Sequence, residues 1–386
     1  HGWRHGYPIS FLVEVQFGLS AVFAENLMIS TKFHPNEPDP VTTFRGMLSG
    51  QTPLTALAPM QAISSLEFWQ VMNKYGGPDL YFTEYFRVHS TSRLNKFILR
   101  SIDQNPTGKP VIAQMIGNDI PALIRTAKEL EKHPVAGIDL NLGCPAPIVY
   151  KKCAGGGLLR NPSRTNRILG ALRDAIDIPF TVKTRLGFED TENYEDLLDI
   201  FSQHPIDLLT IHGRTVKQMY RSAVDYEAIR KATDPVPFPV LANGNVYSAK
   251  HANEVLKKTN GAGWMIGRGA IRNPWIFRQI RSMLRGDSIE FPTGRDVLDY
   301  IENLFETLIQ DPYEEKSHVM RLKKYMNFIA LGVESDGLFL NAIRRTKTRG
   351  EFLKVSRDYL NHDNPMTLEP FSIPVNPCDI LAGSHR

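Results

Sequence analysis

Long uninterrupted apolar runs are missing from this chain, and with them any span of the roughly 20 residues that a bilayer core requires. The longest apolar-rich stretch, residues 9–23, is broken by Glu14 and Gln16, and no small-residue cleavage pattern follows it. A membrane partner is therefore not expected. Cysteine is scarce. Cys144, Cys153 and Cys378 are too few in 386 residues for a disulfide framework, which points to a reducing, cytoplasmic setting. The spacing from Cys144 to Cys153 matches no zinc pattern. Charge of one sign is scarce too: the formal net charge is +4, so a polyanion site has to come from local clustering. No Gly-x-Gly-x-x-Gly fingerprint follows the first strand-like run, which argues against a doubly wound open sheet.

What the chain has is a rhythm that begins at Pro53. Strand-like apolar runs recur at 54–60, 79–85, 110–115, 135–142, 180–185, 206–212, 238–243 and 262–266. Stretches of helical period separate most of them, such as 120–132 and 194–203. This alternation predicts an α/β fold, a parallel (β/α)8 TIM barrel. The ends of the runs support closure. Met60, Glu84, Gln114, Asn141, Lys183 with Arg185, His212, Asn243 and Arg268 are polar or adaptable residues that buried strands do not need. At the same end of successive strands they read as a ring around a barrel mouth. Period-2 alternation puts Lys183 and Arg185 on one side of their strand, facing inward at the top.

Cys144 sits in Asn141-Leu-Gly-Cys-Pro145, just past a strand, with Gly155-Gly-Gly157 downstream. A site role competes there with a small buried apolar one. Asn243-Gly-Asn245 and Gly267-Arg-Gly269 follow the seventh and eighth strands, where barrels often bind phosphate.

The pattern predicts four regions. Residues 1–52 read as an irregular N-terminal extension, 53–290 as the barrel, 291–363 as a C-terminal all-helical domain, and 364–386 as an extended tail. The chain opens on His, so the extension reads as a fragment or as translation from upstream of the native start. Met28 and Met47 are candidate initiators, and residues 1–48 are expected to be dispensable. Residues 316–357 carry ten Lys or Arg against three acids. That excess suits a solvated face or a nucleic-acid surface equally.

Together these stretches resemble the tRNA-dihydrouridine synthases from about Leu54 to Leu360. The matching segments are Leu57-Ala-Pro-Met60, Thr83-Glu84, Ala113-Gln114, Asp139-Leu-Asn-Leu-Gly-Cys-Pro145, Gly155-Gly-Gly-Leu-Leu159, Val182-Lys-Thr-Arg-Leu-Gly187, Ile211-His-Gly-Arg-Thr215, Ala242-Asn-Gly244 and Met265-Ile-Gly-Arg-Gly-Ala270. Their order and spacing across the whole barrel carry the resemblance. Thr83-Glu-Tyr-Phe-Arg-Val88, Gln218-Met-Tyr-Arg221 and Arg321-Leu-Lys-Lys-Tyr325 are most similar to the bacterial class acting on uridine 16. The first fifty residues and Lys151-Lys-Cys153 depart from the family pattern.

The resemblance implies FMN as cofactor, NADPH as reductant and tRNA as partner, in a monomer. It implies that reduced flavin passes a hydride to C6 of a flipped-out uracil, and that Cys144 protonates C5. A thiol pKa of about 8.5 suits that acid role. Pro59, Met60, Gln114, Lys183 and His212 match positions around the flavin. Asn243, Gly244, Asn245, Gly267 and Arg268 match its phosphate end. Asn141, Arg185 and Tyr220 match positions holding the uracil, and Arg344 and Arg345 are candidates for tRNA contact. Gln114 and His212 also suit satisfied core positions, and Cys153 is expected to be buried. Competing readings are an FMN barrel acting on a free pyrimidine or enone, and a tRNA-binding protein that has lost its flavin chemistry.

Overall fold

Strands that are apolar on both faces need cover on both, and a parallel barrel wrapped in helices supplies it. The structure, a computed structural model, describes residues 38–309 and 315–371. The apolar stretch 9–23, Met28, Cys378 and the tail from 372 lie outside the described residues.

Nine strands form the sheet: β1 (Leu54–Leu57), β2 (Leu80–Phe82), β3 (Phe86–Arg87), β4 (Val111–Ile116), β5 (Gly137–Asn141), β6 (Phe180–Arg185), β7 (Leu208–His212), β8 (Val240–Asn243) and β9 (Gly263–Ile266). Every pairing is parallel. Eight strands close the ring, with β2 on β4 at one seam and β1 on β9 at the other. β3 was not expected. It arises because the 79–85 run breaks at Thr83, whose Oγ1 accepts the Gln114 N–H at 3.0 Å in place of a backbone carbonyl. The chain then rejoins the sheet through Phe86 opposite Met115. The break turns Glu84 and Tyr85 out of the ladder at the mouth.

Inside the barrel, Leu54, Ala56, Leu80, Phe82, Ile112, Ala136, Leu208, Leu241 and Met265 form one apolar cluster. Most sit at or near strand starts, so the apolar filling lies at the bottom and polar residues occupy the top. Phe44 completes the cluster, fully buried, from a helix at Pro40–Leu48. This corrects the expectation of irregular chain for residues 40–48 alone, since residues 1–37 lie outside the described residues. The proline at 40 that suggested a break sits at the first helical position, where its missing N–H costs nothing. Asp39 caps the helix by accepting the Thr42 N–H at 2.8 Å.

Four helices follow the barrel, at Gly294–Leu308, Glu315–Ile329, Leu338–Arg345 and Arg349–Leu360. Thr293 with Asp296 and Thr348 with Glu351 form capping boxes that start the first and last. Buried tyrosines tie them to the barrel. Tyr325 Oη donates to the Ile63 carbonyl at 3.1 Å, and Tyr300 Oη to that of Ile271 at 2.8 Å. Residues 364–371 run on without helix or strand. No described helix is long and apolar enough to cross a membrane.

Candidate active site

Cys144 owes its position to Asn141. At the end of β5, Asn141 Oδ1 accepts the N–H of Gly143 at 3.0 Å and of Cys144 at 2.9 Å, which curls the chain into a tight turn. Asn141 Nδ2 donates to Gln114 Oε1 at 2.9 Å, and Gln114 Nε2 donates to Asp139 Oδ2 at 2.7 Å. Asp139 accepts a further bond from Thr181 Oγ1 at 2.6 Å. Strand register brings these groups together, since Gln114 stands opposite Asp139 and Asn141 opposite Lys183. Gln114 and Asn141 are thus buried members of a network beneath the thiol. Neither lines the open cavity described next.

Arg185 secures the turn from the other side. Its Nε donates to the Gly143 carbonyl at 2.8 Å, and its Nη1 to the Thr215 and Met219 carbonyls, each at 2.9 Å. One buried guanidinium therefore pins the Cys144 loop to the loop after β7. The Cys144 side chain is half-buried, with the Tyr85 hydroxyl near it. Burial pushes the thiol pKa up, and the Ala146 backbone N–H and the nearby charges of Arg185 and Lys183 only partly offset it. The thiol therefore keeps its proton at neutral pH. Cys153 is exposed rather than buried, at φ 53° in the Lys-Lys-Cys turn. Its flanking lysines are exposed as well, so that turn has no apolar cover.

A cavity of about 310 Å³ opens at the C-terminal ends of β6 to β9 and β1. Its wall includes Pro59, Met60, Lys183, Arg185, His212 and Tyr220, then Asn243, Gly244, Asn245, Gly267 and Arg268. Lys183 Nζ donates to Asn243 Oδ1 at 3.2 Å. Its pKa is lowered to about 8, first by burial and then by Arg185. His212 is held neutral, its pKa driven well down by burial and by four surrounding cations. Its buried Nδ1 has no hydrogen-bond partner among the described residues. Such an orphan is costly unless a ligand completes it. Arg268 lies over the Tyr220 ring at 4.5 Å and donates to Asn245 Oδ1 at 3.2 Å. Gly267 keeps the floor open, because a Cβ there would meet Ala58 Cβ and Met60 Sδ at 3.3 Å. Lys183, Arg185, Arg268 and Arg272 face this cavity and, among the described residues, no carboxylate lines it. It calls for an anion.

The helical domain closes one side of the cavity with Asn327, Phe328 and Leu331. Arg344 donates to Asn327 Oδ1 at 3.0 Å, so it sits beside the cavity wall, and both Arg344 and Arg345 are exposed. Arg321 instead reaches Glu67 at 3.7 Å and the Leu308 carbonyl at 3.1 Å. Lys323 donates to the Arg344 carbonyl at 2.9 Å. These two cations are committed to internal contacts.

Sequence reasoning missed Tyr85, Asp139, Tyr247, Arg272 and Asn327. Asp139 carried a signal, a charge inside a buried strand. Arg272 carried one too, standing one helical turn after Arg268. Asn327 carried none, because its partners are remote in sequence.

Fold and site define a parallel barrel with a cation-walled cavity at its mouth and a protonated thiol on a neighbouring loop. The comparisons narrow this. Residues 56–362 match the family described as dihydrouridine synthase (Dus), and the chain belongs to that family. Similar proteins include the "probable tRNA-dihydrouridine synthase" of Rickettsia bellii, 31% identical over 74% of this chain and 88% of its own length. The "tRNA-dihydrouridine(16) synthase" of Neisseria meningitidis serogroup A is 29% identical over 78% of this chain and 92% of its own. The "tRNA-dihydrouridine synthase B" of Pasteurella multocida is 29% identical over 79% and 92%.

Proposed function

We propose that this chain reduces uridine 16 of the tRNA D-loop to 5,6-dihydrouridine, with FMN as bound cofactor and NADPH as reductant. The observation that carries the reading is a cation-walled cavity, free of carboxylates among the described residues, beside a thiol kept protonated by burial. The names of the relatives supply the substrate class, and the segments around Tyr85 and Tyr220 favour position 16.

The residues present fit an FMN. Lys183 and the unpartnered His212 Nδ1 suit the polar edge of the isoalloxazine, where the ammonium balances negative charge. Asn243, Gly244, Asn245, Gly267 and Arg268 suit its phosphate, and Pro59 and Met60 give an apolar flank. An FMN held by these residues would supply the hydride for C6 of the uracil, with NADPH as the source of its reducing equivalents. Cys144 gives its proton to C5 as general acid. Arg185 and Asn141 hold the loop that carries the thiol, and Tyr220, backed by Arg268, offers the extruded base a flat face.

Two measurements test the reading. Purified protein is expected to be yellow and to bleach with NADPH, and a protein that takes up no FMN overturns it. Position-mapped nucleoside mass spectrometry of tRNA from a deletion strain is expected to lose dihydrouridine at position 16. Full retention there removes the assigned substrate.

A further inference from the structure

Residues 365–371 lie beyond the stretch matched to the family, yet they return to the cavity. Pro365 pairs with Thr293, the Met366 N–H donates to the Pro292 carbonyl at 2.7 Å, and the Phe371 N–H to that of Leu331 at 3.0 Å. Pro370 forms part of the cavity wall. Between these anchors Leu368 is buried at φ 56°, a left-handed conformation that leucine seldom adopts. The turn aims the Leu368 carbonyl at Arg272 Nε, 2.7 Å away. Gly332 makes the fit possible. A Cβ there would stand 3.0 Å from Arg272 Cδ and 3.1 Å from Leu368 Cα.

Arg272 is only 5% exposed, and it shares the cavity wall with Asn245 and Arg268. It forms no salt bridge among the described residues, and the Nε bond to Leu368 is its one hydrogen bond among them. Burial lowers its pKa to about 10, with the Arg268 charge as the second cause, and the Glu369 carboxylate on the same strap offsets only part of this. A guanidinium buried at this depth costs several kcal/mol to desolvate unless an anion meets it. Its planar fork suits a phosphate.

We infer that Arg272 is a second guanidinium for the cofactor's phosphate, steadied toward the cavity by the Leu368 carbonyl, so that residues 365–371 govern how tightly a phosphate-bearing flavin is retained. This rests on the flavin reading above.

The test uses the full chain stripped of flavin and titrated with FMN and with riboflavin, which lacks the phosphate, following flavin fluorescence. Arg272→Met is expected to weaken FMN binding by roughly 10–100-fold, the scale of a lost hydrogen bond to a charged group, and to leave riboflavin unchanged. Unchanged riboflavin binding also reports an intact barrel. Arg272→Lys keeps the charge but loses the Nε donor and the fork. It is expected to lower the FMN-to-riboflavin affinity ratio by a smaller factor, and it carries the test if the Met variant does not fold. An unaltered ratio, or equal weakening of both flavins, overturns the inference and leaves Arg272 as a pin for the strap alone. A parent protein that binds neither flavin overturns the functional reading itself.

Discussion

At the residue scale, two opposing demands meet at Cys144. A general acid must hold its proton until the base is in place, then release it. Burial meets the first demand by disfavouring the thiolate, while Arg185, Lys183 and the Tyr85 hydroxyl favour the anion left behind. Cys144→Ala is expected to leave bleaching of the flavin by NADPH intact and to slow tRNA reduction by about 10²–10⁴-fold in single turnovers. Unchanged single-turnover rates would assign the proton to another donor. Because the protonated thiol is the active form, the rate of that step should fall as pH rises through the raised thiol pKa. Tyr85→Phe removes a neighbouring hydroxyl that favours the thiolate, which raises the thiol pKa further. The alkaline limb should therefore move to higher pH, and a limb that stays put belongs to another group. Lys183 titrates lower, at about 8. Its ammonium is present below that pH, so FMN affinity should decline as pH rises past it. In Lys183→Met the affinity is lower throughout and that inflection is gone. An inflection that survives the substitution points to a different titrating cation.

At the scale of elements, the helix at Pro40–Leu48 changes what truncation should do. Phe44 is the stopper of the barrel's lower end, packed among strand starts that are far apart in sequence. Phe44→Ala is expected to cost about 3–5 kcal/mol of stability, the usual range for a buried phenylalanine, read from urea unfolding. A chain beginning at Met47 loses the same plug and the Asp39 cap, so it is expected to be less stable than the full chain. A Phe44→Ala protein with an unshifted midpoint would show that the plug adds nothing. The strands were legible because each is an apolar run that stops at a polar residue, and both signals are local. The helix was not, because its proline-rich entry looks like a loop and its one buried side chain finds its partners only once the barrel closes. The same holds within the site. Lys183, His212, Asn243 and Arg268 could be read from strand ends, but that Gln114 and Asn141 bond to each other depends on the register of β4 against β5.

At the scale of the whole molecule, the described helical domain is bound to the barrel by buried tyrosines and helps wall the cavity. The two basic groups on that domain are not equivalent. Arg321 and Lys323 spend their charge on Glu67 and on backbone carbonyls, whereas Arg344, Arg345 and Lys347 are exposed, and Arg344 bonds to Asn327 of the cavity wall. Flipping one base out of a folded RNA costs a few kcal/mol, and an exposed cluster that neutralises phosphates can offset it. Such neutralisation makes affinity fall steeply with salt. Reversing charge at Arg344, Arg345 and Lys347 together is therefore expected to weaken tRNA binding and to flatten its dependence on salt, by roughly 0.7–0.9 in logarithmic slope for each phosphate no longer neutralised. Flavin reduction by NADPH should be untouched, since that half-reaction uses cavity groups these residues do not supply. Reversal at Arg321, Lys323 and Lys324 should act differently. It leaves buried Glu67 facing an acid, so it should lower the unfolding midpoint more than it changes the salt slope. If the exposed triple alters neither affinity nor slope, that face is merely solvated, and the tRNA must be held by the barrel loops around Tyr220 instead.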